Sequence, residues 1–207
     1  MSVHSRPAGR SHWKAGSTPI RVAVLLTASL LALGAAAARA AEEANPRVLF
    51  ETTQGDIEVE LFDEQAPKTV QNFLALVDRG FYRDLIFHRV IPGFMVQTGG
   101  YDAGMNYEEP PGTVENESSN GLKNERGTLA MARLDDPDSA NAQFYINVAD
   151  NTHLDARPGQ PGYTVFGRVV EGMDVVDQIE EAETTRKAGM PDVPKTPIVI
   201  ETAKRLD

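Results

Sequence analysis

Residues 87–100 read FHRVIPGFMVQTGG and place a single cation, Arg89, among Phe87, Val90, Ile91, Phe94 and Met95, with no carboxylate in the segment to neutralise it. A buried cation without a partner is costly, so such an arginine is either turned out to solvent at a strand edge or held for something that arrives. A guanidinium offers five N–H donors in a rigid fork and stays charged at any working pH. His88 sits beside it, but adjacent strand residues point to opposite faces, and this histidine reads as a hydrogen-bonded core residue rather than a general base.

Other chemistries lack their residues. The chain has no cysteine, which removes disulfides, thiolate metal ligands and a cysteine nucleophile together. Beyond residue 40 the only histidines are His88 and His153, far apart and without HExxH spacing, so no metal site is expected. Residues 99–104 lack the GxGxxG spacing and lead into no helix, and neither a P-loop nor a GxSxG elbow occurs, so no nucleotide or other cofactor is expected. The acidic run DDPD, residues 135–138, lacks the closing glutamate of a calcium loop, and Pro137 fits an exposed turn. Asn116, Glu117 and Ser118 form a glycosylation sequon, which matters only in a eukaryotic secretory pathway.

The elements that must position Arg89 are legible from periodicity. RVLFET and DIEVELF flank a Gln54–Gly55 turn, and Ile57, Val59 and Leu61 alternate with Glu58 and Glu60, which predicts a hairpin with one buried and one wet face. Over 66–79 the period changes. Val70, Phe73, Leu74 and Val77 fall on one helical stripe, Pro67 occupies the first turn and Gly80 follows the end. Short β-like runs follow at LIFHRVI, FMVQTG, GTLAMAR, QFYINV and TVFGRVV; Met173, Val176 and Ile179 after Gly172 suggest a second helix, and PIVIETAKR closes the chain as a strand. Many short strands with two helices predict a mainly antiparallel β domain, a closed barrel capped by helices. Residues 101–126 show no sustained period and predict a long loop, of the kind that is usually functional or mobile.

The first forty residues differ in kind, carrying Arg6, Arg10, Lys14, Arg21 and Arg39 but no acidic residue. An apolar run over 22–38 is followed by Ala38, Arg39 and Ala40, the small-x-small pattern of signal peptidase, which predicts a signal peptide at 1–40 cleaved after Ala40. The alternative is an uncleaved membrane anchor, because an apolar run of about 17 residues reaches the lower edge of what spans a bilayer. No Arg-Arg pair precedes the run, which argues for export in the unfolded state. Residues 41–46, AEEANP, read as a short lead-in and 47–207 as the folded domain. Five of the 20 basic residues and none of the 30 acidic ones lie in the first forty, so the remainder carries 15 against 30, a formal charge of −15. A surface this negative repels phosphate backbones and anionic lipid heads, which argues against nucleic-acid and membrane-surface partners.

At FHRVIPGFMVQTGG the sequence closely resembles the cyclophilin family of peptidyl-prolyl cis/trans isomerases. The likeness continues through TTQGDIEVELF, APKTVQNFLALV, NGLKN, GTLAMAR, QFYINV, VFGRVVEGMDVV and PIVIE, all in the family's order. The resemblance implies a closed antiparallel barrel of eight strands with a helix over each open end, and a shallow apolar groove outside it for a proline-containing peptide. Arg89 matches the family's catalytic arginine. Phe94, Met95 and Leu154 match positions lining the proline pocket, Gln97 and Gln143 match polar groups that position substrate backbone, and Ala132 and Arg133 match the segment alongside the peptide. Three positions depart from the best-known eukaryotic pattern: Tyr145 stands where a phenylalanine is usual, His153 where a tryptophan is associated with tight cyclosporin binding, and Tyr163 where a histidine is common.

The tyrosine at 145 adds a hydroxyl that must find a partner at the pocket floor or rim. The histidine at 153, in place of the family's tryptophan, implies weak cyclosporin binding. The signal peptide and the non-tryptophan residue at 153 resemble exported bacterial cyclophilins, which implies a monomer in a Gram-negative periplasm, acting without cofactor on proline bonds of folding exported proteins. The alternative is a peptide-binding chaperone or scaffold that uses the same groove.

Overall fold

The computed structural model describes residues 1–2 and 45–206. The predicted signal peptide, its cleavage site and most of the lead-in lie outside the described residues.

The opening hairpin forms as the alternation requires. Strand β1, Arg47–Thr52, pairs antiparallel with β2, Gly55–Leu61, so that Val48 faces Val59 and Phe50 faces Ile57. All four side chains are buried, while Glu58 and Glu60 stay on the wetter face. Helix α1, Pro67–Asp78, buries Val70, Phe73, Leu76 and Val77; Leu76 takes the buried place that the sequence assigns to Leu74, which is only half-buried. No side chain caps α1 at Ala66. Glu117, 48 residues beyond Thr69, does so instead: its carboxylate accepts from Lys68 N at 3.1 Å, Thr69 N at 2.8 Å and Thr69 Oγ1 at 2.7 Å, placing negative charge on the orphan N–H groups of the first turn.

Seven short segments complete the frame: β3 Arg89–Ile91, β4 Met95–Thr98, β5 Thr128–Met131, β6 Phe144–Asn147, β7 Val165–Glu171, helix α2 Met173–Glu180 and, after a separate hairpin, β10 Ile200–Leu206. The strands form one eight-stranded antiparallel sheet in the order β10-β1-β2-β7-β5-β6-β4-β3. Its two edges meet just outside the regular ladders. Phe87 N donates to Ile198 O at 3.0 Å, Ile200 N to Leu85 O at 2.8 Å and Asp84 N to Ile200 O at 2.8 Å. Residues 85–87 and 197–199, expected as parts of longer strands, therefore form a seam with a single bridge, Ile86 to Val199. The hairpin β8 Thr184–Lys187 and β9 Met190–Pro194 was not anticipated. It packs Met190 and Val193 against Ile86, Met105 and Val199 in a small satellite core.

Both faces of the barrel wall are used. Val90, Val96, Leu129, Met131, Phe144, Ile146 and Phe166 join the interior core, where Phe50, Phe73, Tyr82, Phe144 and Phe166 pack ring against ring at 5.1 to 6.3 Å. Their sequence neighbours Met95, Ala130, Tyr145 and Val165 point outward and form a second apolar cluster with Phe94, Leu154 and Tyr163. The period of two thus builds an apolar patch on the outside of a closed wall.

Residues 101–126 contain one short 3-10 turn, Ser118–Asn120, and isolated bridges, as a long loop requires. The DDPD run forms an exposed turn in which Asp136 accepts from Asp138 N. Among the described residues no helix is long and apolar enough to cross a membrane.

Candidate functional site

The outward cluster lines a cavity of about 390 Å³ bounded by Arg89, Phe94, Met95, Gln97, Ala132, Arg133, Tyr145, Leu154 and Tyr163. Arg89 and Gln97 are register partners in the β3–β4 hairpin, and Gln97 pairs on its other side with Tyr145 of β6. All three residues have outward-pointing side chains, so the ladder itself brings the cation, the amide and the aromatic floor to one place.

Arg89 is half-buried at the edge of this cavity. Its Nη1 donates to Gln97 Oε1 at 3.4 Å, a long bond, and Gln97 Nε2 donates in turn to Gln143 Oε1 at 3.0 Å. Among the described residues no carboxylate pairs with Arg89, although eight ion pairs decorate the rest of the surface. Most of its donors therefore stay available. The side chain is half-buried against the cavity rather than fully turned to solvent.

Two of the eleven expected site residues lie off the cavity wall. Gln143 lines a neighbouring cavity of about 310 Å³ with Tyr101, Tyr107, Leu134, Ser139 and Asn141, which shares Gln97, Ala132 and Arg133 with the first. His153 is exposed and stacks on the ring of Phe94, with centroids 5.7 Å apart and planes at 25°. It backs the cavity wall from outside.

The hydroxyl of Tyr145 finds its partner below the floor, donating to Asn124 Oδ1 at 2.9 Å. Asn124 is fully buried, and its amide donates to Asp155 Oδ1 at 3.1 Å, which fixes the orientation of the side chain. Asn147 Nδ2 also reaches Asn124 Oδ1, at 3.3 Å, and Asn151 Nδ2 bridges Asn147 Oδ1 and Phe94 O at 2.8 Å each. Desolvation opposes the charge of Asp155, but the two Asn124 hydrogen bonds and Lys123 outweigh it and hold the carboxyl below the usual carboxylate range. Burial pushes the Tyr145 hydroxyl well above its ordinary value, so it remains a donor. Sequence reasoning missed this polar base. Asn147 was its one visible signal, a polar residue two positions from Tyr145 and so on the same face of β6.

His88 lies in the interior, edge-on to Tyr101 at 4.9 Å. It is buried as expected, but its Nδ1 has no hydrogen-bond partner among the described residues. Burial pushes its pKa down to about 4. No cluster of three or more His, Cys, Asp or Glu side chains placed to hold a metal ion occurs among the described residues.

A family model described as "Cyclophilin type peptidyl-prolyl cis-trans isomerase/CLD" matches residues 47–205. The chain belongs to this cyclophilin family. It is 47% identical to the peptidyl-prolyl cis-trans isomerase A of Dickeya dadantii over 91% of this chain and 97% of that one. To the isomerase B of Escherichia coli it is 51% identical, over 75% and 96% of the two chains. A crystal structure of a Cryptosporidium parvum cyclophilin superposes with a TM-score of 0.66 at 27% identity, covering 79% of this chain and 98% of that one. A second, determined in the presence of the dipeptide Ala-Pro, gives 0.63 at 28% identity over 76% and 96%. This cyclophilin is a peptidyl-prolyl cis-trans isomerase.

Proposed function

We propose that the cavity beside Arg89 is the prolyl-binding notch and that Arg89 is the catalytic donor. The observation that carries this reading is the geometry at Arg89: a half-buried guanidinium at the edge of an apolar cavity, held loosely by Gln97 Oε1 at 3.4 Å and paired with no carboxylate among the described residues.

An X–Pro bond resists rotation because the nitrogen lone pair is delocalised into the carbonyl, with a peptide barrier of about 18–20 kcal/mol. No covalent bond has to break. At the midpoint of rotation the prolyl nitrogen regains its lone pair and can accept a hydrogen bond, which a permanently charged, rigid fork supplies without reorganising. Uncatalysed isomerisation takes about 10–100 s, so turnover near 10³ s⁻¹ requires about 5.5–7 kcal/mol of barrier reduction. A preorganised donor of this kind contributes about 3–4 kcal/mol. The remainder comes from holding both sides of the peptide while the middle turns: Met95, Phe94, Leu154 and Tyr163 around the ring, with Gln97, Gln143 and the Ala132–Arg133 backbone along the chain.

The substrates in this reading are proline bonds of exported proteins in the periplasm, with the leader at 1–40 removed after Ala40. Support comes from the basic, apolar and small-x-small order of that leader and from the Dickeya alignment, whose 91% coverage carries it into the first 44 residues. Cyclosporin binds weakly, since His153 stacks flat on Phe94 and offers no indole at the cavity edge. Titrating the purified protein with an Ala-Pro peptide, followed by amide NMR, tests the notch. Shifts centred on Phe94, Met95, Tyr145 and Leu154 are expected, and shifts confined to Tyr107, Ser139 and Asn141 would refute it. Cell fractionation with an isomerase assay tests the address; activity confined to the cytoplasm contradicts it.

A further inference from the structure

Arg133 is the second arginine on the notch wall, and its donors are occupied where those of Arg89 are free. Its Nε donates to Gly162 O at 3.1 Å, Nη2 to Pro161 O at 3.0 Å, and Nη1 to Leu134 O at 2.8 Å and Asp135 O at 3.3 Å. Four of the five guanidinium donors are thus taken up by backbone carbonyls of two loops. The face of the same guanidinium lies over the ring of Tyr163, 4.8 Å from its centroid, and that ring meets Tyr145 edge-on at 6.0 Å. No carboxylate among the described residues takes part.

We infer that Arg133 is a positioning residue: its guanidinium clamps the Pro161–Gly162 turn to the 134–135 loop and fixes the Tyr163 ring as a wall of the notch. The inference rests on the reading of this cavity as the prolyl site. A clamp is distinguishable from a general structural role because the turn has other ties. Gly162 N donates to Ser118 Oγ at 2.9 Å, Gly162 O also accepts from Asn116 Nδ2 at 3.1 Å, and Tyr163 N donates to Leu154 O at 3.0 Å. Gly162 itself is seated so tightly that a Cβ there would meet Ala156 N at 2.3 Å. These bonds keep the backbone path without the arginine. What they leave untouched is Pro161 O, which has no other partner among the described residues, and the Tyr163 ring.

Arg133 therefore acts on substrate through Tyr163. With the guanidinium gone, the ring and the turn must be ordered each time a peptide binds, an entropy cost that falls on binding rather than on rotation. Lysine cannot substitute, since a single ammonium point cannot reach carbonyls in two loops or lie flat on a ring.

Isomerisation kinetics of Arg133→Ala and Arg133→Lys, each also in a Tyr163→Ala background, with Arg89→Ala alongside, test the clamp. The expected result for both Arg133 variants is a KM raised about three- to ten-fold with kcat within about two-fold of wild type, and no further rise when Tyr163 is already alanine. An unchanged KM, full rescue by lysine, or the same KM rise in the Tyr163→Ala background overturns the inference. If Arg133→Ala does not fold, Arg133→Lys, which keeps the packed stem and the charge, carries the same comparison. A normal kcat in Arg89→Ala counts against the catalytic reading of Arg89 and leaves the KM comparison to decide the clamp.

Discussion

Arg89 and Gln97 face each other across the β3–β4 ladder, and the only side-chain acceptor that the guanidinium reaches among the described residues is the neutral amide oxygen of Gln97, at 3.4 Å. A carboxylate at that position would be bidentate-capable and charge-matched, and would hold the fork against an incoming prolyl nitrogen. The amide steers the cation without saturating it.

Gln97→Glu puts this to the test by exchanging one nitrogen for oxygen. It is expected to lower kcat/KM by about 10–100-fold, by occupying donors that are worth about 10²–10³ when lost entirely. Gln97→Leu, which removes the acceptor without adding charge, is expected to lose less. Stopped-flow or protease-coupled isomerisation of a proline test peptide reads both, and equal rates for the Glu and Leu variants would show that neutralisation plays no part.

The floor of the notch stands on Asn124. Tyr145→Phe deletes one buried hydrogen bond while Asn147 still satisfies Asn124 Oδ1, so urea denaturation is expected to show a loss of about 1 kcal/mol. Asn124→Ala strands Tyr145 Oη and removes one bond each from Asn147 Nδ2, which keeps Thr128 Oγ1, and from Asp155 Oδ1, which keeps Asn124 N, and is expected to cost about 2–3 kcal/mol. Equal losses in the two variants would contradict the shared-network account.

His88 makes an acid-sensitive contribution with a defined window. Its pKa lies near 4 in the folded protein against 6.5 for the free side chain, so the unfolded chain binds a proton first as pH falls. The stability is fully present above about pH 6.5, is lost between 6.5 and 4, and is flat below that. The shift amounts to about 3 kcal/mol. Denaturation midpoints measured across pH 7 to 4 should slope downward in wild type and flatten in His88→Gln. The carboxyls held low, such as Asp155 and Asp102, act in a more acid range. An identical slope in the variant would assign the effect elsewhere.

Local period and turn chemistry made the hairpin β1–β2, both helices and most barrel strands readable, since each buries its own stripe or face. The seam was less readable because residues 85–87 and 197–199 look like strand yet bond to each other across a single bridge. The β8–β9 hairpin escaped because TTRK has no apolar alternation and Pro191 interrupts its partner. The absence of a carboxylate around Arg89 was visible in its segment, but its role as catalytic donor came from the family resemblance. Its neighbours Phe94, Met95 and Tyr145 came from the family resemblance, and the outward period of β4 and β6 then explains why they meet. What no local pattern carries is pairing at long range: Glu117 onto the first turn of α1, Asn124 under Tyr145, and Arg133 across to Pro161. Each of these joins residues between 21 and 48 positions apart.

In the proposed mechanism the Arg89 fork, paired with no carboxylate among the described residues, lowers the energy of the half-rotated X–Pro bond. Single-turnover isomerisation by Arg89→Ala, with its fold checked by circular dichroism, tests it most directly. Native spectra are expected, with kcat/KM reduced about 10²–10³-fold and only partly restored by lysine. A folded Arg89→Ala protein that turns proline bonds at the wild-type rate would contradict it.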